Sequence, residues 1–230
     1  MTKIHVKGTI ISDRQQRIYD WLGIEATSPS KVNASLPGNK SPVEVVINSG
    51  GGDVFAGSEI FTALKEYEGE VTVKIVGLAA SAASVIAMAG DKILISPTAQ
   101  MMIHNVSTYG GGDYRAFEHT AEVLKSANQS IANAYKTKTG KSDEELKVLM
   151  DAETWFNAEK AVEQGFADEV MTFNNTQQNT FVANVGNVML NDEAIEKLLS
   201  IIDSAPSNQP VEGKTKLEAR LKLLHLGGIH

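Results

Sequence analysis

The chain has no cysteine among its 230 residues. Disulfides, a thiolate nucleophile and cysteine-ligated zinc are therefore excluded, which suits a reducing cytosolic setting. Positive charge is also scarce. The formal net charge is −7, and the clustered Lys and Arg that phosphate contacts need are missing, so nucleic acid is not an expected partner. No apolar run is long enough to span a bilayer: the first residues lack a signal-peptide core, and residues 76–89 are too short and too rich in small side chains. A soluble cytoplasmic protein without a membrane partner is expected. No His-Glu-x-x-His motif or other metal-site spacing occurs, so neither a metal nor a cofactor is expected.

The hydrophobic fraction, 42%, suffices for one good core and a small appendage. Ile4, Val6 and Ile10 suggest a first strand, residues 15–24 a short helix and residues 27–41 a loop rich in Ser, Pro, Asn and Gly. A βαβ unit follows: strand 43–47, helix 54–68 with Ile60, Phe61, Leu64 and Tyr67 on one face, and strand 71–76. Residues 82–89 suit a buried helix, and 92–95 and 100–103 are strand-like. Residues 113–139 form a long amphipathic helix carrying Phe117, Ala121, Leu124, Ile131 and Tyr135. Ser142 with Glu145 predicts a capping box, and Asn157 caps a last helix ending at Gly165. The chain then turns polar and Asn/Gln-rich. Residues 1–171 are read as the main domain and 172–230 as a linker with two amphipathic tail helices, 191–203 and 215–226.

Three segments carry chemistry. The apolar run Val73-Lys74-Ile75-Val76 leads into Gly77-Leu78-Ala79-Ala80-Ser81, placing Ser81 at a strand-to-helix turn. Backbone N–H groups at the helix start lack intrahelical acceptors and can receive an anion forming on a bound carbonyl. Upstream, Asn48-Ser49-Gly50-Gly51-Gly52-Asp53 joins a strand to a helix, where glycine lets the backbone approach a ligand. Alone it reads as a tight βα turn, and no Gly-Lys-Ser/Thr follows to make it a phosphate loop. His104 closes the strand Met101-Met102-Ile103. Alone it reads as a structural histidine.

Together these segments resemble the proteolytic subunit of the Clp protease. The resemblance runs from about Val43 to Val170 through INSGGGDVFAG, GLAASAAS, MMIHN and TWFNAEKAVEQGFADEV. In GLAASAASVIAMAGD and Glu153-Thr154-Trp155 it looks closer to the Clp-related head-maturation proteases of tailed phages. It implies Ser81 as nucleophile, His104 as general base, and the N–H groups of Gly52 and Ala82 as oxyanion donors. The family's aspartate falls on Glu153, one methylene longer, with Asp151 as rival; both could equally be surface carboxylates. The implied fold is α/β, stacked βαβ units of the Clp and crotonase-like kind, with helix 113–139 projecting as a handle that interlocks rings.

The other candidates have plainer readings. Ser84, one helical turn beyond Ser81, is expected to bond a carbonyl of its own helix. His5 and His119 are expected to be solvated, and His225 and His230 lie in the tail. Gly110-Gly111-Gly112 is either a flexible linker or, by the resemblance, a border of the substrate groove.

The leading expectation is a homo-oligomeric, ATP-independent serine endopeptidase of phage or prophage origin. It would cleave scaffold and capsid proteins in the host cytoplasm or within proheads, with the tail docking scaffold. One alternative is a Clp-type peptidase fed by an AAA+ unfoldase. Another class is a crotonase-like acyl-CoA enzyme, which would share the oxyanion geometry without Ser81 as nucleophile; a catalytically dead ring component is a third reading.

Overall fold

The computed structural model describes residues 1–173. Its strands are β1 (Thr2–Ile10), β2 (Ala26–Thr27), β3 (Val43–Gly52), β4 (Val71–Ala80), β5 (Lys92–Ile95), β6 (Gln100–Ile103), β7 (Thr154–Asn157) and β8 (Glu169–Val170). Its helices are α1 (Asp13–Leu22), α2 (Pro29–Asn33), α3 (Val54–Glu66), α4 (Ala82–Ala87), α5 (Tyr114–Thr139), α6 (Asp143–Asp151) and α7 (Ala158–Glu163). The strands form one sheet with a path β2-β1-β3-β4-β5-β8, parallel throughout. This is the expected α/β class. Val6, Val45, Ile47, Val73, Ile75, Ile93 and Ile95 are fully buried, as a sheet built from parallel crossovers requires.

The long strand β4 serves two neighbours. Its first half pairs with β5 (Thr72↔Lys92 to Ile75↔Ile95), whereas its second half pairs with β6 (Leu78↔Gln100 to Ala80↔Met102). The change of partner falls beside a register shift between Ile47 and Ser49 on β3. There the Asn48 side-chain carbonyl accepts the Leu78 N–H at 3.1 Å. Gly77 is needed at that point, because a Cβ would lie 2.5 Å from Asn48 Oδ1. Strand β6 also pairs antiparallel with β7, from Gln100↔Asn157 to Ile103↔Thr154.

Several expectations need correction. Residues 27–41 are not simply a loop: Thr27 belongs to β2, its hydroxyl donating to Lys7 O at 2.9 Å, and Pro29 at the first turn starts α2. Strands β3 and β4 run on to Gly52 and Ala80, because pairing with neighbours overrides the low strand propensity of Gly and Ala. Helix α4 stops at Ala87. Strands β7 and β8 were not anticipated. The apolar stripe of α5 is split: Ile131 and Tyr135 are buried against the domain, while Phe117 and Ala121 are exposed. The two tail helices fall outside the described residues.

Local signals mark the helix ends faithfully. Asp113 caps α5 by accepting from Ala116 N, and Gly140 closes it in a left-handed conformation. Ser142 and Glu145 form the capping box of α6, and Asn157 caps α7 through Lys160 N. These caps fix where the chain leaves α5 and α6, and hence where residues 151–157 return to β6.

Candidate active site

Ser81 ends the extension of β4 and opens α4. It has φ 54 and ψ −126, a conformation costing a non-glycine residue about 1–3 kcal/mol. Three backbone bonds hold it there: Ser81 N donates to Met102 O at 3.0 Å, and Ser81 O accepts from Ser84 N at 2.9 Å and Val85 N at 3.3 Å. The turn lifts the hydroxyl off the sheet. Because β6 pairs with the end of β4, its next residue, His104, arrives beside that hydroxyl. His104 Nε2 lies 2.7 Å from Ser81 Oγ, within reach for direct proton transfer.

Gly51 and Gly52 finish β3 on the other side of Ser81. A Cβ at Gly51, whose φ is +98, would lie 2.7 Å from the Ser81 Cβ, so the glycine backbone stacks directly on the nucleophilic turn. Gly52 and Ala82 line a single cavity of about 370 Å³ with Ser81 and His104. Its far wall is apolar: Val85 of α4 with Val123, Leu124, Ala127 and Ile131 of α5. Helix α4 has only six residues, too few for a large macrodipole. Any oxyanion stabilisation here comes from individual N–H donors, Ala82 N–H having no intrahelical acceptor. Asp53 caps α3, accepting from Phe55 N and Ala56 N at 2.9 Å each, so its charge is committed to the helix start.

Among the described residues no carboxylate hydrogen-bonds His104. Glu153 Oε1 accepts from Trp155 Nε1 at 3.3 Å. Asp151 accepts from Asn105 Nδ2 at 2.8 Å and pairs with Lys147. The Lys147 ammonium, then the Asn105 amide, hold the Asp151 carboxyl below its usual value. In the β6–β7 ladder Ile103 pairs with Thr154, so His104 and Glu153 each lie one residue beyond its last pair. Glu153 has φ 46, a left-handed kink between α6 and β7.

The remaining candidates lie where expected or elsewhere. Ser84 is buried and donates to Ser81 O at 2.6 Å. His5 and His119 are exposed. Among the described residues no three His, Asp or Glu side chains converge as a metal site, and no helix is long and apolar enough to cross a membrane. Sequence reasoning missed the two hydroxyl and amide contacts made by α5: Tyr135 to Ser84, and Asn128 Oδ1 to Val106 N at 2.7 Å. The stripe in α5 signals burial but not hydrogen bonding.

The Clp protease family profile matches residues 33–174, more than half of the chain. The chain belongs to the Clp protease family. It is 33% identical to the ATP-dependent Clp protease proteolytic subunit 1 of Chlamydia muridarum over 153 residues, 64% of this chain and 74% of that protein. It is 29% identical to subunit 2 of Tropheryma whipplei over 143 residues (61% and 78%). Identity to subunit 1 of Streptomyces avermitilis is 30% over 155 residues (64% and 71%). Membership of the Clp family makes the chain a serine peptidase, a hydrolase of peptide bonds, and sets the crotonase-like acyl-CoA reading aside. The relatives named here are Clp proteolytic subunits rather than phage proteins, so they favour the Clp-type alternative over head maturation.

Proposed function

We propose that this chain is the peptidase of a Clp-type machine, a homo-oligomeric ring that cleaves extended polypeptides delivered by an ATP-dependent unfoldase. The observation that carries the reading is the 2.7 Å approach of His104 Nε2 to Ser81 Oγ. The relatives' names call them ATP-dependent proteolytic subunits. The exposed apolar residues of α5, Tyr114, Phe117 and Val123, supply a surface for subunit association.

In the mechanism, His104 takes the Ser81 proton as Oγ attacks the scissile carbonyl. The N–H groups of Gly52 and Ala82 receive the oxyanion, and the imidazolium then protonates the leaving amine. Water repeats the sequence in reverse to release the acyl group from Ser81. Glu153, one residue beyond the last β6–β7 pair, orients His104 once its side chain rotates away from Trp155. The apolar cavity wall accepts a hydrophobic side chain next to the scissile bond. Extended substrate backbone makes the remaining contacts, giving loose sequence preference. Residues 1–171 form the catalytic domain, acting in the cytoplasm without a cofactor.

A second reading is kept because residues 175–230 lie beyond the family match. There the enzyme is a head-maturation protease cutting phage scaffold and capsid proteins without ATP, the tail docking scaffold. Degradation of a folded protein by this chain with a Clp unfoldase separates the two. The Clp-type reading requires ATP-dependent degradation, whereas ATP-independent cleavage of a co-expressed scaffold protein, with no unfoldase stimulation, establishes the second.

A further inference from the structure

The mechanism leaves a buried chain of hydroxyl groups behind the nucleophile without a role. Tyr135, on α5, is fully buried, and its OH lies 2.8 Å from Ser84 Oγ; Ser84 Oγ lies 2.6 Å from the carbonyl oxygen of Ser81. The proton directions follow from chemistry. A carbonyl only accepts, so the single Ser84 proton goes to Ser81 O, and the Tyr135 O–H must supply the proton of the other bond. The chain therefore runs one way, from Tyr135 through Ser84 to Ser81 C=O. Burial pushes the Tyr135 phenol above its usual range, in keeping with its role as donor.

The Ser81 carbonyl shares a planar peptide unit with the Ala82 N–H. In a trans peptide the two point in opposite directions, so holding one aims the other. Hydrogen bonds onto the carbonyl also polarise the unit and make its N–H a stronger donor. We infer that Ser84 and Tyr135 are positioning residues for the oxyanion donor, fixing the Ser81–Ala82 peptide so that the Ala82 N–H faces the cavity. The helix start already gives this carbonyl two backbone donors, Ser84 N at 2.9 Å and Val85 N at 3.3 Å, and the Ser84 hydroxyl adds a third, shorter bond. Ser81 sits at φ 54, and rotation of the peptide would point a carbonyl, a second negative dipole, at the developing oxyanion. The device ties the substrate-lining helix α5 to the nucleophile, since Tyr135 lies one helical turn from Ile131 of the cavity wall.

This inference rests on Ser81 as nucleophile and Ala82 as oxyanion donor. The test compares Ser84→Ala, Tyr135→Phe and the double variant as assembled protein, with Ser81→Ala as control. Steady-state cleavage of a fluorogenic peptide is read alongside Ki for a peptide boronate, whose tetrahedral adduct places an oxygen in the oxyanion position. Ser84→Ala should lower kcat by about tenfold with KM within about twofold, a fraction of the loss for deleting a donor outright. The boronate Ki should rise by a matching factor. Tyr135→Phe should give a smaller loss. The double variant, which leaves no orphan hydroxyl and so keeps a satisfied core, should match Ser84→Ala, because Tyr135 acts only through Ser84.

Wild-type kcat and Ki in the double variant overturn the inference while Ser81→Ala remains inactive. A loss confined to KM, or a Tyr135→Phe loss that adds in full to that of Ser84→Ala, overturns it equally. Full activity of Ser81→Ala removes the underlying assignment and the inference with it.

Discussion

His104 and Glu153 each lie one residue beyond the last pair of the β6–β7 ladder, Ile103↔Thr154, and the Glu153 carboxylate is turned to the Trp155 indole. Glu153 has only this long contact, at 3.3 Å, to give up in order to orient the histidine, whereas Asp151 is anchored by both Asn105 and Lys147.

Replacing Glu153 with Ala should therefore reduce kcat by about 100-fold to 10,000-fold, as loss of the group that orients a catalytic histidine does elsewhere. Asp151→Ala should stay within about threefold of wild type, since it removes only an exposed contact. Steady-state kinetics on one peptide decide this; the opposite ranking reassigns the third residue to Asp151.

Trp155→Phe removes the indole N–H that competes for Glu153 while preserving an aromatic ring. The variant's kcat should be at or above the wild-type value, because Glu153 loses its alternative partner. A tenfold fall would show that the indole holds Glu153 in its working position instead.

Gly51→Ala places a methyl 2.7 Å from the Ser81 Cβ at φ +98. Both the clash and the backbone conformation oppose it, at a cost of about 1–3 kcal/mol for the conformation alone. Cleavage should fall at least about 100-fold, with a lowered Tm measured by calorimetry. Near-normal activity contradicts the close stacking of the glycine turn on the nucleophile.

These consequences differ in how far they were legible in the sequence. Strands β5 and β6 are legible to the residue because each is a short apolar run between turn signals, α5 from its apolar spacing, and the start of α6 from the Ser142–Glu145 capping box. Ser81, His104, Gly52 and Ala82 could be named from the resemblance, and the fold brings all four to one cavity. The extensions of β3 and β4 were not legible, since they depend on strand pairing rather than on Gly and Ala propensity. The placement of Glu153 just beyond the Ile103↔Thr154 pair depends on β7, four residues with no period to read. The Tyr135–Ser84 contact needs the packing of α5 on α4, which a helical stripe does not specify.

A separate prediction concerns stability. Glu44, buried between Lys74 at 2.6 Å and Lys3 at 3.5 Å, has its carboxyl held below the ordinary value of 4.5, chiefly by the Lys74 hydrogen bond. A depressed native value stabilises the fold above the unfolded value and loses that contribution as pH falls through the native one. Glu44→Gln should then lower Tm at pH 7, with the difference from wild type shrinking as pH drops below 4.5. A gap that stays constant down to pH 3 would assign the loss to packing.

The central claim is that Ser81 is the nucleophile activated by His104, and active-site labelling tests it most directly. A fluorophosphonate probe incubated with the assembled protein, followed by mass mapping and a peptidase assay, should give one adduct on Ser81 and abolish cleavage in parallel. His104→Ala should block both the adduct and turnover. An adduct on another residue, or peptide cleavage that survives in Ser81→Ala, would contradict the account.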